Sequence, residues 1–313
     1  MTELPNSLTN DPAQSSPSAV AVVAAPSPAA PARRAHLTIR PSKPWKFVDL
    51  IEVWEFRDLL FSLAGRDLKL RYKQTILGVA WVVLQPLLGA LIFTFVFGVL
   101  GHMKSSGTPY FVLSFAGLLG WNLFANTISR SSTCMVANSN LVSKVFFPRV
   151  ILPVASSLSV IVDFCCAFCV LLILLLIYRV NPGVGILLLP IWIAIMLMAA
   201  LGIGMVTSAL AVSYRDIQYI LPVFMQMLMY ASPVGYSLAS VHAKLLKDHK
   251  LWVYPWYCAN PLTGMLSAIR WSLLGRGHLL VGPTVWSAAC AIILFASGLM
   301  LFKKMERRFA DVI

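Results

Sequence analysis

Charge is what this sequence has least of. Asp, Glu, Lys and Arg make up only 12% of its 313 residues, and the acids number 12 in all. Ordinary soluble domains carry about 25% charged residues. With 58% hydrophobic residues and a mean hydropathy of +0.78, the chain reads as a membrane protein. Also missing is any G-x-x-x-x-G-K-[ST] run, so the chain cannot cradle a nucleotide by that route, and any ATP hydrolysis behind its action has to come from a partner. Paired carboxylates, a nucleophile elbow and a metal-ligand spacing are absent from the pattern, so no catalytic residue, no metal and no cofactor of its own is assigned. Of the six cysteines, Cys134, Cys165, Cys166, Cys169 and Cys290 lie in or beside apolar runs, leaving Cys258 alone in an outer segment. Cys165-Cys166-x-x-Cys169 resembles a metal pattern on paper, but a helix of Leu, Val and Phe gives a metal no supporting polar groups. These cysteines read as small buried hydrophobes.

Residues 1–45 are rich in Ala, Pro and Ser and have no apolar periodicity. They lack a proper h-region and read as a disordered cytoplasmic tail, not a signal peptide. The net charge of +13 would point to nucleic acid if the cations formed a face. They sit instead at the ends of apolar runs, which favours anionic lipid beside cytoplasmic flanks.

The organising stretch is 66–88, RDLKLRYKQTILGVAWVVLQPLL, a basic half joined directly to an apolar half. Upstream, 46–75 reads as an amphipathic interfacial helix. Glu52, Glu55, Asp58, Ser62, Arg66, Lys69 and Lys73 form a polar stripe opposite Val53, Phe56, Leu60, Leu63 and Ala64. The transmembrane domain is expected over 76–313, with spans at about 76–100, 109–128, 150–178, 184–212, 217–238 and 284–302. The first, at 25 residues, is roughly 37 Å of helix, enough for a hydrocarbon core of about 30 Å. Basic residues cluster before span one, between spans two and three (Arg130, Lys144, Arg149) and after span six (Lys303, Lys304, Arg307, Arg308). That bias predicts both termini in the cytoplasm. The outer segment 239–283 departs from it with Lys244, Lys247, Lys250, Arg270 and Arg276. Its apolar pieces, 252–256 and 262–274, are too short to cross; they suit re-entrant or interfacial pieces dipping back from the outer face, or a surface loop with an aromatic anchor. Ser232-Pro233-Val234-Gly235 would free backbone groups that a membrane protein tolerates only inside protein or beside a water-filled cavity.

The loop 138–149, NSNLVSKVFFPR, predicts a short helix capped by Asn138, Ser139 or Asn140 and ended by Pro148, with Leu141, Val142 and Val145 on its apolar side. Standing off the cytoplasmic face, it has the shape to dock into a groove on a soluble partner.

The runs RDLKLRYKQTILGVAWVVLQPLLGALIFTFVFG, NSNLVSKVFFPRVILP, SYRDI, SPVGY and NPLTGMLSAIRWSLLG, in that order, closely resemble the permease subunits of ABC-2 type polysaccharide exporters, the O-antigen and teichoic acid group. The resemblance implies an all-α membrane fold: six transmembrane helices, an N-terminal interface helix and two short re-entrant helices before the last span. It further implies two copies around a channel and two copies of a separate ATPase chain that binds ATP and Mg. The substrate would be a glycan on a polyprenyl pyrophosphate, moved across a bacterial inner membrane. Residues 140–148 would then be the coupling helix, with Asn140, Leu141, Lys144, Val145, Phe146, Pro148 and Arg149 facing the ATPase.

Aromatic rings offer a sugar chain weak contacts that permit sliding, because a sugar's C–H face is apolar. Tyr110, Phe115, Trp121 and Phe124 on span two and Tyr230 on span five, where Phe224 also lies, are the channel candidates. Met225 and Met229 would form an adaptable wall, against the plainer reading of lipid or core packing for all of them. Arg66, Lys69, Arg71 and Lys73 are read as lipid anchors or as contacts for the carrier's pyrophosphate. Asp163, deep inside a span, is read as a structural partner, channel lining or, in a carrier working alone, a proton site. The alternative cargoes are teichoic acid, capsule or another amphiphile such as a drug or lipid.

Overall fold

The computed structural model describes residues 54–73, 79–103, 107–247, 249, 251–276 and 278–312. The expected tail 1–45 and the first part of the interface helix, 46–53, lie outside the described residues. Every regular element within them is helical.

Helix α1 (Arg57–Tyr72) precedes α2 (Val79–Phe93), which continues as a π-helix over Thr94–Leu100. There follow α3 (Tyr110–Ala137), the short α4 (Ser139–Lys144), α5 (Ile151–Ile177) and α6 (Leu189–Ser213), the last entered through a 3₁₀ turn at Val184–Leu188. Helix α7 (Ile217–Ala231) leads to α8 (Leu238–Lys247), α9 (Tyr254–Ala259), α10 (Pro261–Leu274) and the long α11 (Val281–Val312).

Five stretches among the described residues are long and apolar enough to cross a membrane: Ala80–Leu100, Tyr110–Ala137, Ile151–Ile177, Val184–Ser213 and Val281–Glu306. The fifth expected span, 217–238, is different. Its helix ends at Ala231 after 15 residues, roughly 22 Å, which is short of the core thickness. Pro233 explains the stop. It has no N–H to continue the helix, and it pushes the preceding Ser232 into extended backbone at φ −107°, ψ 151°. The second span runs past its expected end at 128 to Ala137. The polar residues that closed the apolar pattern turn inward instead: Thr127 and Ser132 hydroxyls donate to the Leu123 and Ser129 carbonyls, each at 2.7 Å. The π-helical end of α2 begins at Thr94, whose hydroxyl donates to the Ala90 carbonyl at 2.6 Å, a back-bond of the kind that disturbs a helix ladder.

Helix α3 is the centre of the bundle, packed against α2, α5, α6, α7 and α10. Small residues let the backbones approach. Any side chain on Gly204 of α6 would collide with Ser131 of α3, and one on Gly202 would meet the α11 backbone at Leu294. Helix α10 is buried along most of its length. Its N-cap Asn260 accepts from the Leu262 N–H at 3.0 Å, and it closes at Gly275 with φ +62°, pressed against the Gly183 backbone. The larger buried cluster gathers α3, α5, α6 and α10. A second, joining Leu63 of α1, Val142, Phe147, Ile151, Met205 and Phe302, sits at the end of the bundle that carries α4.

Candidate functional site

Asp163 is the most heavily engaged side chain of the protein's interior. It is buried on α5, where its Oδ2 accepts from Arg130 Nη2 of α3 at 2.8 Å and from Arg71 of α1. Its Oδ1 accepts from the Tyr72 hydroxyl. Arg130 spends a second nitrogen on the Ser159 hydroxyl at 2.7 Å. One carboxylate with three charged or phenolic donors is well compensated for burial. Burial, followed by the bond to Asp163, pushes the Tyr72 hydroxyl above its ordinary pKa, so it stays a donor. The cluster ties the C-terminal end of α1 to two spans. Beside it lies a narrow polar cleft between α2, α3 and α5, bordered by Gln85, Asn122 and Asn126.

This arrangement divides the four basic residues of 66–73. Arg71 is committed to Asp163, while Arg66 donates to Asp67 Oδ1 at 3.0 Å and to Asn138 Oδ1 at 2.5 Å. All four, Lys69 and Lys73 included, are exposed, and two of them, Arg66 and Arg71, also tie α1 to the bundle because acid and amide partners stand within reach.

The loop that carries α4 is rooted at both ends and open in the middle. Val142 and Phe147 are buried in the second cluster, and Leu141 packs against it. Asn140, Lys144, Val145 and Phe146 are exposed, Phe146 to 76%. The helix is shorter than expected, ending at Lys144. Val145 is already extended at φ −124°, ψ 135°, so Pro148 does not end the helix but opens the turn into α5, its carbonyl accepting from Ile151 N–H at 3.0 Å. Asn138 stands at the N-cap without a capping bond from its side chain. Its amide is spent on the Cys134 carbonyl at 2.8 Å and on Arg66. Arg149 does not extend the open surface either, since its guanidinium donates to the Glu306 carbonyl at 2.7 Å. Helix α11 thus braces the loop.

The aromatic candidates separate cleanly. Phe115, Trp121 and Phe124 lie in the core of the bundle at 0–5% exposure, because α3 is surrounded by five other helices; none offers a ring face to a passing chain. Met225 is buried as well and Met229 half-buried, both packed against the main core. Tyr230 is 61% exposed. Tyr110 is half-buried and donates to the Gly235 carbonyl at 2.8 Å. Tyr219 and Phe224 share the exposed side of α7 with Tyr230. Phe224 and Tyr230 are both named from the sequence; Tyr219 is not, and nothing in the pattern of α7 distinguishes it. No group of His, Cys, Asp and Glu suited to a metal ion occurs among the described residues.

Against known proteins, residues 58–274 match the family described as ABC-2 type transporter. The chain belongs to that family. It is similar to the O-antigen export system permease protein RfbA of Klebsiella pneumoniae, 28% identical over 260 residues that cover 82% of this chain and 95% of that protein. The protein of the same name in Myxococcus xanthus is 26% identical over 262 residues, or 84% and 98% of the two chains. The polysialic acid transport protein KpsM of Escherichia coli is 23% identical over 253 residues, 78% and 92%. The family match takes in α1 through α10, so the ion cluster and the loop that carries α4 both fall within it.

Proposed function

We propose that this ABC-2 protein is the transmembrane permease subunit of an ATP-driven exporter that moves a lipid-linked, O-antigen-like polysaccharide across a bacterial inner membrane. Two copies would form the conduit and two copies of a separate ATPase would supply the energy, with both termini on the ATPase side. The observation that carries this reading is Phe146. It stands 76% exposed beside Val145 at 49%, on a loop whose flanking Val142 and Phe147 are buried, so the loop presents an apolar patch on a rooted base, the kind of surface that a groove on a partner covers. The relatives named for O-antigen export support the cargo, and the polysialic acid relative makes capsule the second candidate. Teichoic acid and other amphiphiles remain competing cargoes that the same assay separates. Asp163 supports the division of labour: its carboxylate is already held by two guanidiniums and a phenol, which leaves it poorly placed to carry protons for a transporter working alone.

The test is reconstitution into vesicles with and without the partner ATPase. ATP-dependent delivery of a polyprenyl-pyrophosphate-linked glycan to the far side is expected only with both chains. Gradient-driven flux by this chain alone would defeat the reading, and a preference for a drug-like amphiphile would replace the cargo.

A further inference from the structure

The least expected group in the bundle is Arg270. By sequence it is one of the cations that break the charge bias of the 239–283 segment. In the fold it is 6% exposed, inside α10, and no carboxylate is paired with it among the described residues. Its guanidinium forks onto the non-helical segment 232–237: Nη1 donates to the Tyr236 carbonyl at 2.5 Å and Nη2 to the Val234 carbonyl at 3.1 Å. The carbonyl between them, Gly235, receives the Tyr110 hydroxyl at 2.8 Å. Three consecutive carbonyls freed by the helix break thus each have a donor, two of them from one side chain. Around this core Asn260 Nδ2 donates to the Ser232 hydroxyl at 2.9 Å, and Tyr257 donates to the Tyr236 hydroxyl, also at 2.9 Å. The Tyr236 hydroxyl in turn donates to the Tyr230 carbonyl at 3.3 Å. Gly117 is part of the construction, since a side chain there would strike both the Val234 carbonyl and the guanidinium.

A backbone break inside an apolar bundle survives only where its polar groups are satisfied internally. Arginine is suited to satisfying them, because its planar fork reaches two acceptors at once, which an ammonium point charge does not. We propose that Arg270 is the positioning residue that holds 232–237 in its unwound form beyond the stop that Pro233 sets, and so fixes where Tyr230 and Tyr236 stand. The buried charge is balanced by carbonyl dipoles instead of by an acid, so the hold depends on the geometry of the strap. Straightening 232–237 into helix would remove the Val234 and Tyr236 carbonyls from the guanidinium and leave a buried cation without acceptors. The short α7 and the strap are therefore one unit with α10, although Arg270 lies 34 and 36 residues from the carbonyls it holds.

The test uses the full-length protein purified in detergent, carrying Ser237→Cys as a reporter of the strap, with the label at residue 237 read by peptide mass because the chain has six cysteines of its own. Its reaction with a water-soluble maleimide is measured in the presence of Arg270, in Arg270→Gln and in Arg270→Lys. Labelling is expected to rise about tenfold with Gln, the equivalent of one buried carbonyl losing its donor, and to be partly restored with Lys. Unchanged labelling with Gln, or no difference between Gln and Lys, would overturn the proposal. Should the Arg270 variants not accumulate, Gly117→Ala, whose added Cβ would strike the Val234 carbonyl and the guanidinium, displaces the fork with Arg270 still in place. It should raise labelling by a few fold, and an unchanged rate would overturn the proposal on its own. Glycan export in cells is read alongside. It rests on the proposed function, whereas the labelling does not, so a failure of cargo assignment leaves the labelling result standing.

Discussion

Helices α2 and α3 are neighbours of opposite character. In α3 78% of the most apolar window is buried within the bundle; in the stretch Ala80–Leu100 it is 11%. Yet α3 is the less hydrophobic of the two, with Ser114, Thr127, Ser131 and Ser132 buried on it alongside Gly117 and Gly120. The inversion has a physical cause. Lipid tails are as apolar as Leu, so hydrophobicity does not drive one helix toward another inside a bilayer. Close packing and hydrogen bonds do, and small or hydroxylated residues provide both. Helix α2 shows the complement: Leu88, Leu91, Ile92, Phe95 and Val99 are all exposed, as suits a surface facing hydrocarbon or another subunit.

The comparison is most open to challenge by removing the same ring from each helix. Phe124→Ala on α3 empties a site 2% exposed and should cost about 3–5 kcal/mol of stability, seen as a large drop in the thermal midpoint of the purified protein in detergent. A loss under about 1 kcal/mol would mean that α3 is not the packing centre.

Next in size is Asp163→Ala. Removing an acid from a buried pair strands its cations, at about 3–5 kcal/mol when the site is fully enclosed. Arg71 and Arg130 are partly exposed, their side chains at 38% and 24%, so solvent screening lowers the expectation to about 2 kcal/mol. Asp163→Asn should lose less, keeping a hydrogen-bond acceptor for Tyr72. Both are read by unfolding in detergent, together with protease access to α1. If α1 remains as protected as before, the ion cluster does not anchor it.

The fold is legible in the sequence wherever the signal is continuous. Long uninterrupted apolar runs announce most of the spans, and Pro233 announces the break in the fifth, because its effect on the backbone is local. The aromatics of α3 cannot be sorted in advance. Phe115 and Phe95 look alike in sequence, and what separates them is whether neighbouring helices cover them, which depends on pairings across the whole chain. The partners of Arg71 and Arg66 are hidden for the same reason. Asp163 lies 92 residues from Arg71 and Asn138 lies 72 from Arg66, and an isolated basic run looks the same whether it faces lipid or an acid. Arg270 is misleading as well, since charge counting treats every cation in a loop as wet.

Phe146→Ala sharpens a second contrast, between the buried and open halves of the loop that carries α4. With Phe146 at 76% exposure and Phe147 at 5%, the Phe146 change should move stability by less than about 0.5 kcal/mol. Under the proposed function it should nonetheless weaken co-purification of the ATPase by about tenfold, as loss of an aromatic anchor does at interfaces. Phe147→Ala should do the reverse, lowering stability first. Equal effects of the two on stability would show that the loop has no separate outer face.

The smallest expected effect belongs to Phe95→Ala, in the π-helical continuation of α2, and it is informative for that reason. Phe95 is 57% exposed, so its ring makes few contacts within one chain. If hydrocarbon surrounds it, Ala replaces one lipid-solvated surface with a smaller one, and stability should change by less than about 0.5 kcal/mol at any protein concentration. If a second copy covers α2, the unfolding of the isolated chain should still be unchanged, but cross-linking between Cys residues introduced at Leu91 or Val99 of two chains should fall several-fold. A cost comparable to that of Phe124→Ala, with no change in cross-linking, would mean that α2 is packed inside the single chain after all, and the contrast between the two helices would collapse.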